Sequence, residues 1–61
     1  MSEKDAIQEA YFNKLEELYK VMFASYSAAA GDAGKQAAAD TAFKAGAALA
    51  RTVRDRAQAL V

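Results

Sequence analysis

Three groups of residues in this 61-residue chain have types and spacings that chemistry could use. The first is Gly31-Asp32-Ala33-Gly34-Lys35-Gln36, which has the glycine and lysine that end a phosphate-cradling loop. That loop would need glycine at position 29 and a hydroxyl at position 36 after a strand; here stand Ala29 and Gln36, with no strand pattern before them. We read the segment as a turn between two helices. The second group is Arg51-Thr52-Val53-Arg54-Asp55-Arg56, the chain's one basic cluster and its candidate nucleic-acid contact. The plainer reading is a helix C-terminus whose Arg51, Arg54 and Arg56 suit the helix dipole. Asp55 would then serve Arg51 at i, i+4, and Glu9 would lie near Arg54 and Arg56 across a hairpin. The third group is Tyr11, Phe12, Tyr19, Phe23 and Tyr26, aromatic residues that could stack bases or line a ligand pocket. At this helical spacing they read as core or as a self-association surface.

Catalytic machinery is otherwise scarce. With neither histidine nor cysteine, the chain offers no imidazole base, no nucleophilic thiol, no disulfide and no zinc site of the Cys/His type. A di-iron bundle would call for Glu-x-x-His pairs, and Glu16 and Glu17 fall on a polar face. We therefore expect no catalytic, cofactor-binding or metal-binding residues and no enzyme activity.

The elements that must hold these groups are helices. Proline is absent, and the one cluster of helix breakers is Gly31-Asp32-Ala33-Gly34 near mid-chain. Ser2 with Asp5 three residues on resembles a capping box, so helix 1 should start there and run to about residue 30, closing on a left-handed Gly31. Asp32 can N-cap helix 2. The expected division is helix 1 over about 3–30, a turn at 31–34 and helix 2 over about 35–60, within a single domain spanning 1–61.

At 100° per residue, Ile7, Tyr11, Phe12, Leu15, Leu18, Tyr19, Met22, Phe23 and Tyr26 share one arc of about 160°. That arc is wider than one neighbour needs. Ile7, Tyr11 and Leu18 lie at one edge and Phe12, Tyr19 and Phe23 at the other. Helix 2 instead repeats small residues, with Ala38, Ala42, Gly46 and Ala50 forming an expected ridge of close helix packing and Leu49, Val53, Ala57 and Leu60 beside it. In a hairpin turning near Asp32, Leu18 would oppose Gly46, Met22 would oppose Ala42, and Tyr26 would oppose Ala38. Large residues then meet small ones, which favours an antiparallel helical hairpin over one continuous helix exchanged between chains.

Composition says how far such a hairpin can stand alone. Apolar residues make up 54% of the chain, yet 17 of them are alanine. A chain of this size without disulfide or metal usually oligomerises. We therefore expect an all-α protein whose hairpins pair into a homodimeric four-helix bundle, with Phe12, Tyr19, Met22, Phe23 and Tyr26 at the self-association interface. Eight basic and eight acidic residues cancel, so no overall field draws the chain to nucleic acid or anionic lipid. The start of the chain lacks a signal-peptide pattern. The longest uncharged stretch, Val21 to Gly31, is short of the roughly 20 apolar residues of a membrane span. The expected function is a cytoplasmic, non-enzymatic assembly or adaptor protein acting through protein contacts, first with itself. A small nucleic-acid-binding regulator using the basic residues of helix 2 is the alternative.

Overall fold

A computed structural model describes residues 2–61; the Met1 end of the expected domain lies outside them. Two helices of 27 residues each, α1 (Glu3–Ala29) and α2 (Ala33–Ala59), fold back on each other as an antiparallel hairpin. Local chemistry sets all four ends. Ser2 is the N-cap of α1: its Oγ accepts from Asp5 N–H at 3.1 Å, and the Asp5 carboxylate accepts from Ser2 N–H at 3.3 Å. This closes the capping box and satisfies two donors that the first turn would leave open.

The turn is tighter than the sequence suggests. Helix α1 stops one residue early, and both Ala30 (φ 49°) and Gly31 (φ 87°) take left-handed backbone. Asp32 then donates its N–H to Ala29 O at 2.9 Å, while its Oδ1 accepts from Lys35 N–H at 3.0 Å. Because Asp32 is already the N-cap, α2 starts at Ala33, inside the segment expected to be turn. At the far end Leu60 N–H closes the last turn on Ala57 O at 3.1 Å.

Packing follows steps of four residues, with a step of three after every second one along α1. On α1 the half-buried or buried positions 7, 11, 15, 18, 22, 26 and 29 face α2; on α2 positions 39, 43, 46, 47, 50, 54 and 57 face back. Large side chains of α1 do meet small residues of α2, and Leu18 lies directly against Gly46. The small-residue ridge nevertheless runs differently from the expected one. Gly46 and Ala50 are in the interface, whereas Ala38 and Ala42 are exposed and Ala39 and Ala47 are the buried alanines. The physical reason is drift: a row of i+4 steps rotates by about 40° per step on a helix of 3.6 residues per turn, so three such steps in succession cannot stay on one straight seam. For the same reason Leu49, Val53 and Leu60, expected to lie inward, are exposed.

The result is a layer one helix thick, with Cα extents of 44 × 18 × 7 Å. Its radius of gyration of 14.2 Å exceeds the roughly 10.5 Å of a compact chain of this length. Among the described residues only Ala29, Ala39 and Ala47 are buried, at 6 to 9% exposure, and no larger side chain joins them.

Candidate self-association surface

A flat two-helix layer has two broad faces, and apolar side chains emerge on both. Helical periodicity puts Phe12, Tyr19 and Phe23 on the flank of α1 that shares a face with Asp40, Lys44, Ala48 and Arg51 of α2. The hydrogen bond from the Tyr26 hydroxyl to Asp40 Oδ1 ties the helices together along this face. Phe12, Tyr19 and Phe23 are 53 to 62% exposed, although Tyr19 and Phe23 keep their ring centroids 6.3 Å apart. Met22 and Tyr26, expected with them at the interface between copies, are half-buried against α2 instead. The aromatic run is thus divided between hairpin packing and a free row.

The opposite face is aliphatic. A long groove there is lined mainly by Ile7, Ala10, Leu49, Ala50, Val53 and Ala57, with Tyr11, Lys14 and Arg54 also on its walls, and a smaller pocket nearer the turn includes Val21, Met22, Ala42 and Phe43. This second apolar face was not foreseen. Its signal was the angular offset of Leu49 and Val53 from the 39, 43, 46, 50 seam, which a search for small residues passes over.

The basic cluster does not converge. Arg54 turns inward, with its guanidinium carbon 4.4 Å from the centre of the Tyr11 ring and Nη2 2.8 Å from Asp55 Oδ1. Asp55 therefore serves Arg54, its sequence neighbour, rather than Arg51, and no ion pair joins Glu9 to Arg54 or Arg56. Arg51 and Arg56 are exposed, and five residues apart they point to opposite faces of the layer. The remaining ion pair among the described residues is Lys14 with Glu17, at 3.4 Å and well exposed.

The Tyr26 hydroxyl is held above the ordinary tyrosine range, chiefly because it donates to the Asp40 carboxylate, with partial desolvation and the negative charge of Asp40 adding to the effect. Asp40 is the one polar partner here that the sequence pattern gave no hint of. No cluster of metal-ligating side chains occurs among the described residues, and no helix there is long and apolar enough to cross a membrane.

Comparison with protein families, with functionally characterised proteins and with solved structures gives no match to this chain.

Proposed function

We propose that this chain is a non-enzymatic assembly or adaptor protein that acts through protein contacts, beginning with a second copy of itself in a two-fold four-helix bundle. The observation that carries the reading is the free row of Phe12, Tyr19 and Phe23 on a layer in which, among the described residues, nothing larger than alanine is buried. Surface area supports it. The accessible surface is 4543 Å², against roughly 3800 Å² for a compact monomer of 6.5 kDa. The excess is close to the ~800 Å² that each partner contributes to a stable interface of ordinary size. Covering one broad face would also turn a layer into a bundle with an interior. The reading places the protein in the cytoplasm, with the absence of cysteine consistent with a reducing compartment.

The test is a Phe12→Ser/Phe23→Ser variant compared with wild type by sedimentation velocity and circular dichroism. Neither ring sits between the helices of the hairpin, so the variant should lose self-association at concentrations where wild type is paired. Unchanged association by the variant would move the interface elsewhere and remove the support for this reading.

A further inference from the structure

We infer that, in the dimer, α1 of one copy lies antiparallel over α2 of the other, with each Glu16 seated between Lys44 and Arg51 of the second copy. The inference rests on the self-association reading and specifies its geometry. Three cross-hairpin contacts fix the levels of the two helices: Leu18 beside Gly46, Tyr11 beside Arg54 and Tyr26 beside Asp40. Residues at one level therefore have numbers adding to about 65. A two-fold axis parallel to the helices stacks the aromatic faces so that α1 crosses onto the second copy's α2 with the same levels. Glu16 then arrives at the level of Leu49, on the flank where Lys44 and Arg51 stand on either side. Tyr19 comes down between Lys44 and Ala48, Phe23 between Asp40 and Lys44, and Phe12 near Arg51. Ala48 leaves room for the Tyr19 ring, and the cationic side chains can cover the rings with their apolar stems.

Charge selects this arrangement over the other face-to-face two-fold. An axis lying across the helices would stack α1 on α1, and the midpoint of Glu3–Ala29 is residue 16, so the two Glu16 carboxylates would meet. In the chosen arrangement an acid meets two bases instead. Glu16, Lys44 and Arg51 are all exposed, and none forms an ion pair with another described residue, so each is free to find its complement in a second copy. On the aliphatic face, by contrast, Lys14 and Glu17 already neutralise each other.

Charge-swapped variants test the geometry separately from the association. One variant carries Glu16→Lys and the other Lys44→Glu/Arg51→Glu. Alone, each sets like charges together twice per dimer and should self-associate at least about tenfold more weakly than wild type. Mixed in equal amounts, the two should form a heterodimer of near wild-type affinity, because both of its contacts are again complementary. Sedimentation equilibrium gives the affinities, native mass spectrometry identifies the mixed species, and circular dichroism checks that the chains are helical. Variants that pair as tightly as wild type, or a mixture that fails to recover, would overturn this geometry while the dimer stands. A monomeric wild type would defeat the assembly reading itself.

Discussion

Gly46→Leu probes the closest approach of the two helices. A Cβ at position 46 would lie 2.6 Å from Leu18 Cδ2 and 3.3 Å from Cδ1, whereas carbons in contact prefer about 3.5 to 4.0 Å. Leucine adds three further carbons beyond that Cβ, so moving the Leu18 methyls aside does not suffice and the helices must separate locally. Overpacking of this kind costs about 1 to 3 kcal/mol, while replacing a helix-interior glycine returns about 1 kcal/mol. The net expectation is a loss of about 1 kcal/mol, which lowers the melting temperature of a domain this small by roughly 4 to 8 °C. A double variant, Gly46→Leu/Leu18→Ala, restores the volume balance and should be more stable than Gly46→Leu alone. Thermal melts at one fixed protein concentration give both values, the concentration being held because association also stabilises. A rise in melting temperature for Gly46→Leu would refute the close approach, since it would mean that the helix gain is obtained with no crowding against Leu18.

Three other perturbations have definite signs. Ala30 sits in left-handed backbone that costs a non-glycine residue about 1 kcal/mol or more, so Ala30→Gly should raise the melting temperature; a drop would contradict the turn geometry. Tyr26 must keep its proton to donate to Asp40, and its folded-state pKa is raised above the ordinary value near 10. Its contribution is therefore intact below about pH 10 and is lost as pH rises through the folded value, so the melting curves of wild type and Tyr26→Phe should converge in alkali. A gap between them that does not change with pH would show that the hydroxyl contributes nothing. Finally, Arg51 and Arg56 face opposite ways and Arg54 is occupied, so RNA or duplex DNA should bind no better than about 10⁻⁴ to 10⁻⁶ M at physiological salt. Submicromolar, salt-sensitive binding that disappears in Arg51→Gln/Arg56→Gln would support the regulator reading instead.

The parts of the fold that were legible in the sequence are those where one residue type has one structural use. Ser2 with Asp5 marks a helix start, Gly31 with Asp32 marks the reversal, and from the reversal alone Leu18 falls opposite Gly46. Alanine has no such signature, because it fits the interior and the surface of a helix equally well. The choice between Ala38 and Ala39, or Ala42 and Phe43, was therefore not readable from composition, and only the drift of a 3.6-residue helix decides it. The candidate surface was legible in Phe12, Tyr19 and Phe23, whose bulk is too far around α1 to reach α2. It was not legible in Met22 and Tyr26, which share their arc but fall within reach of α2. Short-range electrostatics was the least readable: Arg54 had Glu9, Asp55 and Tyr11 within reach, and side-chain geometry rather than sequence spacing gave it the last two.

If this hairpin completes its core with a second copy of itself, sedimentation equilibrium over a micromolar concentration range should show a helical species of about twice the 6.5 kDa chain mass, with dissociation on dilution accompanied by loss of helix. A fully helical monomer that persists at the highest concentration would contradict it, because the exposed Phe12, Tyr19 and Phe23 would then need no cover.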